Sequence, residues 1–366
     1  MDPDVTERHR SRRERLAERL ASLEAEALVV TRLPNVRYLT GFTGSNGQVV
    51  VARDGSAVFL TDGRYEEQAT HEVPDLDRTV YRQGYPRPLV DACRSLGVTR
   101  AGFERRALTF DDWTQLGEAA NGLELVPTGP EVEVLRRIKD TDELERIGRA
   151  QRFTDEVFER VVLGGGLRAG VTERQLAREM EAAMLDAGAD DRAFESIVAF
   201  GDHSAEPHHR PTERELAAGD VVKLDFGALA DGYHSDMTRT VAFGEPDPRV
   251  RELRDVVAAA NQAGVDAVRP GASTVEVDAA ARTIVADAGY AESFPHGLGH
   301  GVGLEIHEEP FLRWHAGVEL EEGMVVTIEP GVYIPGFGGV RIEDMVEVTA
   351  DGGRPMPRSA RELIVL

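Results

Sequence analysis

Through the first third of the chain, short apolar blocks alternate with stretches of helical spacing. ALVVTR (27–32) reads as a strand, and QVVVARDGSAVFLT (48–61) as a hairpin turning at Asp54-Gly55. GRYEEQAT and RPLVDACRSLG carry helical periodicity, RAGFE and LELVPT are short strands, and a helix is predicted near DDWTQLGEAA. Such alternation predicts an α/β layer. The N-terminal MDPDVTERHRSRRERL looks like a polar helix without the apolar core of a secretory signal. VLRRIKDTDELERI (134–147) predicts the start of a long helix, with Asp140 as N-cap and Glu143 three residues on. A domain boundary is expected near 130, after the Pro127–Pro130 stretch, giving domains 1–130 and 131–366.

The remainder repeats itself. LRAGVTERQLAREMEAAMLDAG (167–188) resembles VRPGASTVEVDAAARTIVADAG (268–289): Gly170 and Gly271 are 101 residues apart, as are Gly188 and Gly289. Each copy carries a capping-box signal, Thr172 with Gln175 and Ser273 with Glu276. GDVVKLDFG (219–227) matches GMVVTIEPG (323–331) at a spacing of 104, which sets Asp225 opposite Glu329. Duplication within one domain is the expectation, with each half projecting a carboxylate from an equivalent strand.

KLDFGALADGYHSDMTRTVAF (223–243) predicts two strands joined at Asp231-Gly232. A turn centred there pairs residue 225 with 238 and puts Asp225, Asp236 and Thr238 on one sheet face. The same parity in GGVRIEDMVEV (338–348) sends Arg341 and Glu343 one way and Asp344 the other. These acids could lie harmlessly on a solvated face, but VVKL and VVTI are runs typical of buried strands. Buried carboxylates from both halves need a compensating cation. Asp225, Asp236, His300, Glu329 and Glu343 form a set of hard and borderline donors suited to two divalent ions.

Composition narrows the field. The net charge of −23 argues against nucleic acid and anionic membrane as partners. A single cysteine, Cys93, allows no intrachain disulfide, and no apolar run is long enough to span a bilayer, so a cytoplasmic location is expected. Lysine occurs only at Lys139, in a charged linker, and Lys223, in an apolar strand run, so Schiff-base chemistry has few candidates.

LDFGALADGYHSDMTRT, HGLGHGVGLEIHE, TIEPGVY and GVRIED, in this order, resemble the creatinase/prolidase-like branch of the "pita-bread" metallopeptidases, which contains Xaa-Pro aminopeptidases (aminopeptidase P) and Xaa-Pro dipeptidases (prolidases). NVRYLTGFTGSNG and FLTDGRYEEQA resemble the N-terminal domain of small bacterial aminopeptidases P. The resemblance implies an α+β fold: a duplicated pita-bread catalytic domain preceded by a smaller α/β domain that serves dimer contacts and substrate access. It further implies that Asp236 and Glu343 bridge two metal ions, with Asp225 on one and His300 and Glu329 on the other. Manganese is the expected metal, with zinc, cobalt or iron as alternatives.

Eight of the ten histidines lie at or beyond residue 203. His203, His209, His234 and His315 read as exposed polar residues. His208 matches a family pattern in SAEPH, and the resemblance implies that it and His307 stabilise the developing gem-diolate. His296 would help shape the proline pocket, Glu329 would shuttle the proton to the leaving nitrogen, and Arg341 would hold a ligand carboxylate or contact substrate while balancing the acids. Gly297, Gly299, Gly301 and Gly303 are expected where substrate and metals approach the backbone. The function expected is that of an Xaa-Pro aminopeptidase acting on small peptides with proline second, as a homodimer. A dipeptide-restricted prolidase is the alternative, and a metal-free pita-bread binding module a remote one.

Overall fold

A computed structural model describes residues 3–315 and 317–366. The chain divides into two compact units, Met1–Arg136 and Arg137–Leu366. The division falls six residues beyond the expected boundary because the short helix Glu131–Arg136 is tied to the first unit: Glu131 accepts from Arg19, and Arg136 donates to Asn35.

In the first unit, β1 (Ala27–Val30), β2 (Gly47–Ala52), β3 (Ala57–Asp62), β4 (Asp77–Tyr81), β5 (Arg100–Glu104) and β6 (Glu124–Thr128) form one sheet in the order β4-β3-β2-β1-β5-β6. β1, β2 and β3 pair antiparallel, whereas β4, β5 and β6 join in parallel. The β2–β3 hairpin turns through Asp54-Gly55, where Gly55 takes φ 86°. The N-terminal helix Pro3–Leu20 is less polar in place than its sequence predicts, with Leu16 and Leu20 wholly buried. Arg12 and Arg13 are buried too. Their guanidinium groups donate to the carbonyls of Tyr38 and Leu39, which the end of helix Leu33–Thr40 would otherwise leave unpaired.

In the second unit the strands are β7 (Asp191–Arg192), β8 (Ile197–Phe200), β9 (Asp220–Phe226), β10 (Ala228–Ala230), β11 (Tyr233–His234), β12 (Met237–Phe243), β13 (Gly299–Gly301), β14 (Glu308–Leu312), β15 (Val325–Ile328), β16 (Gly331–Ile334), β17 (Gly338–Arg341), β18 (Asp344–Thr349) and β19 (Gly352–Pro355). They assemble as β12-β9-β8, β11-β10-β7, β14-β13-β15-β18-β19 and β16-β17.

The duplication is visible in the elements. Helices Glu173–Asp186 and Thr274–Asp287 have equal length, and each begins with the capping box its sequence predicts. Equivalent loops close on them, through the bridges Thr172–Glu215 and Ser273–Glu319. The apolar side chains form one cluster per half. Met180, Met184, Val198, Val222 and Leu224 centre the first; Val277, Ala281, Leu298, Val326 and Ile328 centre the second. Helix Thr141–Val157 starts at Asp140 with Glu143 completing its capping box, as the sequence predicts. Among the described residues no helix is long and apolar enough to cross a membrane.

Candidate metal centre

The carboxylates arrive at strand ends and strand breaks. Asp225 lies one residue from the end of β9, directly opposite Thr238 of β12, in the register the central turn predicts. That turn has positive φ at both central residues, Asp231 at 49° and Gly232 at 78°, which suits the twist of the hairpin. The hairpin is not continuous, however. Ser235 and Asp236 fall in a break between β11 and β12, where Gly227 approaches so closely that a Cβ would collide with the Ser235 carbonyl. Glu329 follows β15, and Glu343 occupies the break between β17 and β18. His300 sits in the middle of β13.

These elements bring the five side chains together around one cavity of about 690 Å³. Ligand atoms of Asp236, His300 and Glu343 lie within 4.8 Å of one another. His300 Nε2 is 3.6 Å from Asp236 Oδ2 and 3.4 Å from Glu329 Oε1. Asp344, the other acid of the RIED stretch, faces away and binds Arg239 and Arg361.

Burial dominates the electrostatics. It raises Asp236 well above the usual carboxylate range, with Glu343, Asp225 and Glu329 adding repulsion. Glu343 is raised likewise by burial and by Glu329, and Glu329 is pushed up to about 7, chiefly by burial. Burial, with His307 nearby, takes His300 down to about 3, so its ring is neutral. His300 Nδ1 lies 3.1 Å from the Gly301 carbonyl, which can only accept, so the proton sits on Nδ1. The lone pair of Nε2 therefore points at carboxylate oxygens, an acceptor facing acceptors once Asp236 and Glu329 are ionised.

Arg341 organises the surroundings. Nη2 donates to Asp225 Oδ2, Nε to Thr238 Oγ1 at 2.9 Å, and Nη1 to Tyr333 OH at 2.8 Å and the Pro207 carbonyl at 3.2 Å. Thr238 in turn donates to Glu343 Oε2 at 2.7 Å. Most N–H groups of the guanidinium are thus committed to the protein, which leaves little for the ligand carboxylate proposed from sequence. His296 Nδ1 faces the Gly297 carbonyl at 2.8 Å, and Nε2 meets Tyr333 OH at 3.0 Å. Burial, then Arg341, lowers His296 to about 3. Tyr333 was invisible as a site residue because nothing in TIEPGVY marks its hydroxyl as the link between Arg341 and His296.

His208 and His307 line the cavity, and the His307 ring stands edge-on to His300 with centroids 4.4 Å apart. Three of the four histidines expected to be exposed are not. His209 is buried and His203 half-buried, both on Glu173. His234 is half-buried against the Gly303 carbonyl, and His315 is exposed. Lys139 lies in the connection between helices Glu131–Arg136 and Thr141–Val157, as expected, but it is buried and forms an ion pair with Glu308 at 2.9 Å. Three glycines of HGLGHGVG are required by the fold itself: a Cβ on Gly297 would strike the Leu312 carbonyl, one on Gly299 the Thr327 carbonyl and one on Gly301 the Glu309 carbonyl.

The residues present fit divalent cations. Asp225 Oδ1 is buried with no hydrogen-bond partner among the described residues. Added to the acceptors that confront His300 when Asp236 and Glu329 are ionised, it leaves lone pairs that divalent cations satisfy together. Oxygen-rich ligation with one imidazole is a donor set for hard or borderline ions.

Comparison with known proteins agrees with this chemistry. Residues 145–350 match metallopeptidase family M24, and residues 12–138 the creatinase/prolidase N-terminal domain. An Xaa-Pro dipeptidase from Bacillus anthracis superposes with a TM-score of 0.94 at 38% identity, covering 98% of this chain and 100% of that one. An Xaa-Pro dipeptidase of Pyrococcus horikoshii is 33% identical over 93% of this chain and 94% of its own length. The structure of an X-Pro aminopeptidase from Thermotoga maritima gives a TM-score of 0.89 at 30% identity, covering 97% of this chain and 99% of that chain. The chain belongs to metallopeptidase family M24, with a creatinase-type N-terminal domain and a pita-bread catalytic domain.

Proposed function

We propose that this peptidase is an Xaa-Pro dipeptidase, hydrolysing the bond between a first residue and a C-terminal proline. The aminopeptidase expected from the N-terminal motifs thereby becomes the second reading. Relatives described as dipeptidases support the change, and so does the cavity. A dipeptide differs from a longer peptide by a free carboxylate next to the scissile bond. Besides the buried Arg341, the cavity lining carries Arg210 and Arg313, cations suited to that carboxylate. The Thermotoga aminopeptidase keeps the second reading open to the same assay.

The single observation that carries metal-dependent chemistry is the confrontation of His300 Nε2 with Asp236 and Glu329. In this proposal Asp225, Asp236, His300, Glu329 and Glu343 hold two divalent cations, manganese being the first choice. When bound, these cations polarise the substrate carbonyl and lower the pKa of an attacking water. The chain's own groups do the rest. Glu329 accepts the proton of the attacking water and carries it to the proline nitrogen, which as a tertiary amide nitrogen has no hydrogen of its own. His208 and His307 donate hydrogen bonds to the oxygen on which negative charge develops. His296, held by Tyr333, fixes the shape of the proline side of the cavity. Arg341 keeps Asp225 in place and offsets the charge of the acids.

The test is hydrolysis of an Xaa-Pro and Xaa-Pro-Yaa panel by metal-loaded protein. Turnover of Xaa-Pro with tripeptides inert supports the proposal; the reverse preference returns the protein to the aminopeptidase class.

A further inference from the structure

A carboxylate outside the metal cluster collects more donors than any of the acids within it. Glu173, the first residue of helix Glu173–Asp186, has no solvent exposure. Its Oε1 accepts from the Phe200 N–H and meets His203 Nδ1, both at 2.9 Å. Its Oε2 accepts from the Thr212 N–H and hydroxyl at 2.9 and 2.6 Å and meets His209 Nε2 at 2.9 Å. All these partners belong to one segment, residues 200–212, which carries His208 to the cavity. From the other side, Lys223 Nζ donates to the carbonyls of Ser204, Glu206 and Pro207, and Arg341 to that of Pro207. Ser204 Oγ also receives the Gly339 N–H.

The duplicate half serves as an internal comparison. At the position equivalent to Glu173 stands Thr274, 101 residues on. Both residues donate their backbone N–H to equivalent loops, at Arg214 and Val318. The Thr274 hydroxyl accepts one N–H, from Val318. At this position the buried charge and the two imidazoles belong to the half that presents His208. Burial works against the Glu173 carboxylate, yet the Thr212 hydroxyl, the Phe200 N–H and His209 together hold it below the usual carboxylate range.

We propose that Glu173 is a positioning residue that, opposite Lys223, clamps the 200–212 segment and so sets His208 against the substrate oxygen. This rests on the role given to His208 above. Within the clamp His208 is free to face the cavity, because His209, its neighbour, is engaged by Glu173 at one ring nitrogen and by Glu206 at the other. Glu173, His203 and His209 could also be taken for a third cation site, since their ligand atoms lie within 4.8 Å of one another. However, the two carboxylate oxygens are already served by backbone and hydroxyl donors.

The test is a double-mutant cycle on the full chain, with kcat, bound metal and crystal structures measured together. Glu173→Gln should lower kcat about tenfold with little change in KM and no change in metal stoichiometry. In a His208→Ala background the same substitution should change kcat by less than about twofold. Should Glu173→Gln fold poorly, His203→Gln, at the more exposed end of the network, should lower kcat about threefold, again only while His208 is present. The crystal structure of either variant should show the His208 ring displaced from the cavity wall.

An equal loss in both backgrounds would mean a merely structural role and overturn the proposal. So would the loss of one bound metal ion from Glu173→Gln, which would mark a cation site. If His208→Ala alone leaves kcat intact, the role of His208 fails and the clamp with it. If His208→Ala is impaired but Glu173→Gln is not, only the clamp fails.

Discussion

His300 Nε2 and Asp236 Oδ2 face each other across 3.6 Å as two acceptors, the imidazole proton being held at Nδ1 by the Gly301 carbonyl. Protonating Asp236 would relieve this one pair. It would not serve Asp225 Oδ1, which is buried without a partner among the described residues, nor the repulsion among the remaining acids. Cations resolve all three at once.

Asp236→Ala and Glu343→Ala should therefore each lose bound metal as well as turnover, with residual activity down by about a thousandfold or more. Metal content by mass spectrometry and kcat on Xaa-Pro check this together. His307→Ala is the contrast: metal retained, with kcat lower by about a hundredfold. Metal loss in His307→Ala would show that this ring binds an ion rather than substrate.

Thr238 lies between two charged groups, accepting from Arg341 Nε and donating to Glu343 Oε2. Thr238→Val keeps the strand packing and removes both hydrogen bonds. Metal affinity should fall by about ten- to a hundredfold, the effect of removing a group that orients a metal ligand. Competitive chelator titration measures it; unchanged affinity would mean Glu343 is oriented by its strand break alone.

The hairpin and the repeat explain how much of this centre is legible in the sequence. Parity about Asp231-Gly232 gives the pairing of residue 225 with Thr238 without tertiary knowledge, since a two-residue turn fixes register. The repeat spacing places Asp225 and Glu329 in equivalent strands. What parity could not show is the break at Ser235-Asp236, where the Ser235 hydroxyl bonds Thr154 of helix Thr141–Val157, a partner remote in sequence. Glu173, Tyr333 and Lys223 were hidden for a similar reason. Each acts through partners brought near by the fold, and a lone Glu, Tyr or Lys carries no signature of that. Arg12 and Arg13 show the same limit in the first unit, where charge in the sequence reads as exposure but caps a helix end instead.

Dipeptide selectivity should depend on Arg313, which lines the cavity. Arg313→Gln should raise KM for Xaa-Pro about tenfold or more while leaving kcat within about threefold, as removal of a binding contact shared by ground and transition states would. Initial-rate kinetics over a concentration series decides it. An unchanged KM would transfer the carboxylate contact to Arg210 or remove it altogether.

The first unit should carry a pH-dependent stability term from His9. Burial, then Arg12 and Arg13, lowers its pKa from 6.5 to about 4. Between those values the unfolded chain binds a proton that the native state refuses. The stability is therefore whole above pH 6.5 and is lost as pH falls toward 4. The loss between pH 7 and 5 should be about 2 kcal/mol, and His9→Gln should flatten it. Urea unfolding followed by Trp113 fluorescence in a Trp314→Phe background checks both; equal slopes in the two proteins would remove His9 as the cause.

The most direct measurement of the central claim is anomalous diffraction from crystals grown with Mn²⁺. Two peaks should appear among the side chains of Asp225, Asp236, His300, Glu329 and Glu343. A map empty at those oxygens, in protein that still cleaves Xaa-Pro, would contradict the account.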